Sequence, residues 1–291
     1  MRIRLKRILG IMFCLALVLG LMTELSMTVY ADGSGSVSVS KEVLGQGREL
    51  TGAELTVTDE NGNKIIDSWT SNGSQHEIQN LEDGTYILTE TNAPKGYEVA
   101  ESISFNIKDG KLVENENAYN GVVTMQDALK KTDVSINKID AADGKKLIGA
   151  ELKVTMIKDI DGNEINNDIA NWTSDGTIHK IPGLNDGTYE LIEERAPLYY
   201  KIAEKITFII EDGELVENEN VSNGVVTMKD ERVSYPLWVG NVQVTELNKD
   251  DVLGDMDTGA TVTYTPATTS NDGILTLNDA NITSTWFCKF L

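Results

Sequence analysis

The sequence predicts an all-β protein: two tandem β-sandwiches followed by a short, incomplete β-rich segment. Three observations carry this. Short runs of alternating apolar and polar residues fill the chain, the period-two pattern of half-buried strands. Turn dipeptides punctuate these runs at Asn61-Gly62, Asn72-Gly73, Asp83-Gly84, Asp109-Gly110 and Asn120-Gly121, and again at Asp161-Gly162, Asp175-Gly176, Asp186-Gly187, Asp212-Gly213 and Asn223-Gly224. Such pairs supply the positive backbone dihedrals that tight hairpins require. Finally, the text repeats at a period of about 100 residues, which marks tandem domains rather than the short units of a solenoid.

The first 31 residues stand outside the fold. Arg2, Arg4, Lys6 and Arg7 form a basic head, residues 8–22 are almost wholly apolar, and Val29-Tyr30-Ala31 offers a small-residue cleavage site. That is the layout of a secretory signal peptide; an uncleaved membrane anchor is the alternative, with an apolar stretch slightly short for a span. Cleavage after Ala31 removes four basic residues and one acidic one, taking the net charge from −21 to −24. A surface so acidic repels nucleic acid and anionic lipid and suits a secreted, extracellular protein with no membrane span after cleavage. Of the two cysteines, Cys14 leaves with the signal peptide, so Cys288 has no partner for an intramolecular disulfide. An exported protein without disulfides needs another staple.

The first repeat occupies residues 32–131 and the second 132–232. Thr51-Gly52-Ala53-Glu54-Leu55 matches Ile148-Gly149-Ala150-Glu151-Leu152, Trp69-Thr70-Ser71 matches Trp172-Thr173-Ser174, and Asn120 to Met125 matches Asn223 to Met228. The offset grows from 97 to 103 between Val154 and Trp172, an insertion of six residues. His76 and His179 are repeat-equivalent and lack ligand-spaced neighbours, so they read as structural, and no metal or cofactor is expected. Asp159-Ile160-Asp161-Gly162-Asn163-Glu164 has the oxygen density of a calcium loop but not its spacing, and reads as a solvated hairpin turn. Residues 233–291 read as the opening of a third β-rich module, with strands at Tyr235–Val244 and Gly273–Asn278.

Three positions in each repeat break the strand alternation in the same way. In Val37-Ser38-Val39-Ser40-Lys41 and Val134-Ser135-Ile136-Asn137-Lys138 a lysine takes an inward position. A glutamate does so in Tyr86-Ile87-Leu88-Thr89-Glu90 and Tyr189-Glu190-Leu191-Ile192-Glu193, and an aspartate in Val123-Thr124-Met125-Gln126-Asp127 and Val226-Thr227-Met228-Lys229-Asp230. Burial favours the neutral forms of amine and carboxyl, and a neutral amine is a nucleophile. If the fold presses the lysine against the aspartate, proximity supplies the effective concentration that amide formation in water lacks. The glutamate would relay protons as water leaves. The expected products are isopeptide bonds Lys41–Asp127 and Lys138–Asp230, with Glu90 and Glu193 as the catalytic groups. The alternative is a pair of buried ion networks that never react, a costly way to stabilise a core.

The string from Tyr86 through Glu90, Ala93-Pro94, Gly96 and Tyr97, the Leu50-Thr51-Gly52-Ala53 turn and the terminal Val123 to Asp127 resemble the SpaA-type, collagen-adhesin B-type domain of Gram-positive surface adhesins and pilins. The resemblance spans nearly all of both copies. It implies a prealbumin-like (Ig-like) sandwich, a cell-surface structural role, and isopeptide formation by the first-strand lysine, the motif glutamate and the last-strand aspartate, which fall on the six residues above. The second copy departs from the pattern at Ala196-Pro197-Leu198-Tyr199-Tyr200, which lacks the glycine, and at Glu194-Arg195, which adds a carboxylate beside Glu193.

The expected protein is therefore a non-enzymatic stalk, secreted or wall-associated, whose partner is an unidentified host or matrix protein or glycan. An alternative makes it the presenter of a carbohydrate-binding module beginning at Tyr235, where Trp238 and Trp286 would stack on sugar. A secreted hydrolase finds no support, since no Ser-His-Asp, Cys-His or metal constellation is present. No Leu-Pro-x-Thr-Gly sorting signal or C-terminal anchor stands in the sequence.

Overall fold

The computed structural model describes residues 34–254, 260–269, 271–279 and 288–290. The signal peptide expected at 1–31 and Trp286 lie outside these residues. The described residues form strands and no helix. The chain divides into two compact units, the first ending at Asp127 and the second holding residues 94–98 and everything from Ala128 onward.

The first copy contains β1 (Gly35–Val43), β2 (Thr51–Asp59), β3 (Lys64–Asn72), β4 (His76–Leu81), β5 (Gly84–Asn92), β6 (Ile103–Lys108), β7 (Lys111–Leu112), β8 (Ala118–Tyr119) and β9 (Val122–Asp127). They make one sheet in the order β4-β1-β9-β8 and another in the order β3-β2-β5-β6-β7. The inward residues of both sheets build one core, including Val37, Val39, Leu55, Leu88, Phe105 and Met125. The first and last strands, β1 and β9, lie side by side and run parallel, with Lys41 opposite Met125 and Val43 opposite Asp127.

The second copy repeats the plan with β10 (Thr132–Asp140), β11 (Ile148–Lys158), β12 (Glu164–Asp175), β13 (His179–Leu184), β14 (Gly187–Arg195), β15 (Ile206–Glu211), β16 (Glu214–Leu215), β17 (Val221–Ser222) and β18 (Val225–Asp230). Its sheets are ordered β13-β10-β18-β17 and β12-β11-β14-β15-β16, around a core that includes Val134, Ile136, Leu152, Leu191, Phe208 and Met228. Here too the first and last strands pair in parallel, Lys138 opposite Met228 and Asp140 opposite Asp230.

The turn chemistry is as the dipeptides dictate at Asn120-Gly121 and Asn223-Gly224, where both residues of each pair take positive φ. Asp83 and Asp186 act differently. Their carboxylates accept the backbone N–H groups of Asp109 and Gly110 in the first copy, and of Asp212 and Gly213 in the second. They brace the turn between β6 and β7, or β15 and β16.

The acidic loop is a hairpin turn. Asp159 Oδ1 accepts from the amides of Asp161 and Asn163 at 3.0 and 2.9 Å, and Asp59 binds Asn61 and Asn63 in the same way. The turn is thus common to both copies, and the six extra residues divide between the arms on either side of it, lengthening β11 and β12.

In the C-terminal segment, β19 (Ser234–Val239) and β20 (Val242–Thr245) form a hairpin, β21 (Thr261–Thr265) pairs with β22 (Ile274–Asn278), and β23 (Cys288–Phe290) joins β19. The single strand expected at Tyr235–Val244 is two strands, because Gly240 turns the chain at φ 60°. Leu237, Val239, Val244, Val252, Leu253 and Val262 give this segment a small core of its own.

Candidate functional site: a buried Lys-Glu-Asp triad in each copy

Alternation on β1 turns Lys41 inward with Val37 and Val39, and on β9 it turns Asp127 inward with Val123 and Met125. Parallel pairing makes these two strands neighbours, so the lysine reaches sideways within one sheet to the aspartate. Glu90 arrives from the facing sheet, on β5, with Tyr86 and Leu88. The three side chains meet where the water is gone: Lys41, Glu90 and Asp127 are 2%, 4% and 0% exposed. Lys41 Nζ donates to Asp127 Oδ1 and lies 3.2 Å from Glu90 Oε1. The backbone N–H of Ala100 donates to Glu90 Oε2 at 2.7 Å and fixes the other end of that carboxyl.

The second copy reproduces each contact. Lys138 Nζ donates to Asp230 Oδ1 and lies 2.9 Å from Glu193 Oε1; the Ala203 amide donates to Glu193 Oε2 at 2.7 Å. Lys138, Glu193 and Asp230 are 3%, 4% and 0% exposed. All six residues singled out from the sequence are therefore brought together, three and three.

One ammonium facing two carboxylates in a dry core leaves an uncompensated negative charge, which burial strongly disfavours. A proton held between the carboxyls removes it. Two atoms per triad are buried without a hydrogen-bond partner, Glu90 Oε1 with Asp127 Oδ2, and Glu193 Oε1 with Asp230 Oδ2. Each pair consists of one oxygen from each carboxyl, the arrangement a shared proton satisfies. Burial pushes the Glu90 carboxyl up; the Ala100 amide and Lys41 oppose this, and the nearby Asp127 adds to it. In the second copy burial pushes Asp230 up to about 6 against the pull of Lys138, with Glu193 adding to the rise. In each site one carboxyl is thus driven toward the acid form.

Glu194, the added carboxylate of the second copy, is exposed while Glu193 beside it is buried, because neighbours on a strand face opposite ways. Arg195 bonds Glu151 at the surface. Neither enters the site. The repeat-equivalent histidines stack on the repeat-equivalent tryptophans, Trp69 on His76 at 4.5 Å and Trp172 on His179 at 4.1 Å between ring centres. Among the described residues no cluster of His, Cys, Asp and Glu is arranged to hold a metal, and no helix is long and apolar enough to cross a membrane.

The sequence reading missed a fourth ionisable residue on the same face. Asp140, 2% exposed, follows Lys138 in the inward register of β10, and its Oδ2 accepts from Tyr200 Oη at 2.8 Å and Arg232 Nε at 2.7 Å. The signal was present in the alternation Val134, Ile136, Lys138, Asp140, but the equivalent residue of the first copy is Val43, so a search for repeated departures passes over it.

The family model of the SpaA prealbumin-like fold domain matches residues 35–120 and again 132–225. The chain belongs to the SpaA family. Among solved structures, the SpaA-type copies are similar to the Bacillus anthracis TIE protein at 26% identity and a TM-score of 0.51, over 69% of this chain and 34% of that one. A streptococcal ancillary pilin is similar at 19% identity and a TM-score of 0.30, over 68% of this chain and 62% of that one. The shaft pilin SpaA of Lactobacillus rhamnosus GG follows at 16% and 0.27, over 69% and 99%. The chain spans about a third of the length of the Bacillus anthracis protein. No curated protein matches it.

Proposed function

We propose that the chain is the structural stalk of a Gram-positive secreted or cell-surface adhesin or pilin-like protein, in which each SpaA-type copy closes itself with an isopeptide bond. Family membership supports the structural role, and the observation that carries the chemistry is the twice-built triad. A proton passes from the lysine ammonium to the aspartate by way of the glutamate, leaving a neutral amine and a neutral acid. Nζ adds to the aspartate Cγ. The glutamate takes a proton from the added nitrogen and delivers one to the departing hydroxyl, which leaves as water, and the glutamate ends as it began. One C–N bond forms, one C–O bond breaks, and nothing outside the domain is consumed. The event happens once per copy, so it is self-modification rather than turnover.

The bond joins residues 86 apart in the first copy and 92 apart in the second. Loop entropy then stabilises each copy by about 4–5 kcal/mol, the part disulfides play in other exported proteins. Because the bond ties the first strand to the last, tension along the chain passes through it rather than unzipping the sheets. The test is the intact mass of the purified protein. A deficit of about 36 Da from the sequence mass means that both bonds formed; a mass equal to the sequence would reduce the triads to ion networks.

A further inference from the structure

We propose that Asp140, Tyr200 and Arg232 form a lock that positions the second cross-linking site; this rests on the isopeptide reading above. The three residues that would react sit on three different strands, and the segment following Glu193 grips all three. At Tyr199 to Lys201 it pairs with the chain just beyond Asp230: the Lys201 amide donates to the Glu231 carbonyl at 2.9 Å and the Val233 amide to the Tyr199 carbonyl at 2.8 Å. Two residues later it supplies the Ala203 amide that holds Glu193. The side chains complete the tie. Tyr200 and Arg232, cross-strand neighbours in this pairing, both donate to the Asp140 carboxylate. Asp140 lies two residues beyond Lys138 and directly opposite Asp230 in the parallel ladder. Arg232 also reaches Asp143 at 2.8 Å, and the Ala142 amide donates to Asp140 Oδ1 at 2.7 Å. Against burial, which acts to raise it, the Ala142 amide, Arg232 and Tyr200 hold the Asp140 carboxyl below its ordinary value. It is an ionised, fully partnered group at the mouth of the site.

The first copy lacks this lock: Val43 and Leu129 stand where the second has Asp140 and Arg232. It also has Gly96, at φ 80°, where the second copy places Tyr199 at φ 72°. A tyrosine in the left-handed region is disfavoured, whereas glycine adopts it freely. The lock supplies the fastening that the second loop needs to keep this geometry.

The test follows both bonds during cell-free synthesis of the full chain, with proteolytic mapping of the cross-linked peptides at successive times. Asp140→Ala, which removes the acceptor shared by Tyr200 and Arg232, is expected to slow the Lys138–Asp230 bond about tenfold or more, while the Lys41–Asp127 bond forms at its usual rate as an internal control. The double variant Asp140→Val with Arg232→Leu, which installs the residues of the first copy, is expected to restore the rate to within about twofold; the fraction of the second copy folded before bonding, read by pulse proteolysis, is expected to be unchanged in Asp140→Ala, which a loss of stability alone would not allow. A normal rate in Asp140→Ala overturns the lock, as does a double variant as slow as the single one. Absence of water loss at the second site of the unsubstituted chain would instead remove the isopeptide reading on which the lock rests.

Discussion

Two residues beyond Lys41 the first copy places Val43, and its loop turns at Gly96; two residues beyond Lys138 the second places Asp140, and its loop turns at Tyr199. Between these different frames the triads match contact for contact, down to the 2.7 Å backbone hydrogen bond on each glutamate. The comparison teaches that the Lys-Glu-Asp geometry is set by strand pairing and one backbone amide, whereas the surroundings that hold the loop admit either apolar packing with a glycine or a charged lock.

The largest effect should come from Lys41→Met and Lys138→Met. Each abolishes one bond, so the mass deficit falls by about 18 Da, and the affected copy should melt roughly 20 °C lower. Equal drops by calorimetry would mean the frames contribute alike; a deeper drop in the second copy would mean its buried Asp140 cluster is the weaker frame once the bond is gone. Next come Glu90→Gln and Glu193→Gln, which keep the shape but cannot relay a proton. Bond formation should slow about 10²- to 10⁴-fold in each, read by mass against time. A bond formed at the ordinary rate in either would separate the two sites mechanistically.

A smaller effect is expected from pH. Asp230 binds its proton more tightly folded, at about 6, than at its ordinary 3.8. Its contribution to stability is therefore complete below about pH 4 and lost as the pH rises through 6. Lys138→Met removes a cation that pulls this value down, so its second copy should gain stability between pH 7 and 5 in denaturant titrations. Glu90 is displaced in the same direction, and Lys41→Met should follow suit. If the proposed bond has formed, Asp230 is an amide and its share of this gain should be absent. Smallest of all, Trp69→Leu and Trp172→Leu each lose a ring stack worth about 1 kcal/mol, with the larger loss expected at Trp172, whose ring lies nearer its histidine.

Much of this was legible in the residues. Alternation and Asn-Gly turns gave the strands, and the inward Lys41, Glu90 and Asp127 stood out because a strand face admits few charges. What stayed hidden is non-local. The expected bond brought the first and last strands together, but nothing between Val43 and Val122 announces that they pair in parallel, and the Ala100 and Ala203 amides belong to the backbone, where side-chain identity carries no trace. Asp140 was readable from its own strand, but demanding that a signal occur twice discarded the residue that makes the copies differ. The strand expected across Gly240 failed because a single glycine with positive φ outweighs an apolar run.

The parallel pairing of first and last strands has a consequence for proteolysis. If Lys41 is joined to Asp127 as proposed, the polypeptide from 41 to 127 is a covalent ring with two tails, and with Lys138 joined to Asp230 the stretch from 138 to 230 is another. A protease that cuts once at a hairpin inside either ring opens it without releasing a fragment. Cut there, the bonded chain should still run on a denaturing gel as one piece, whole from end to end.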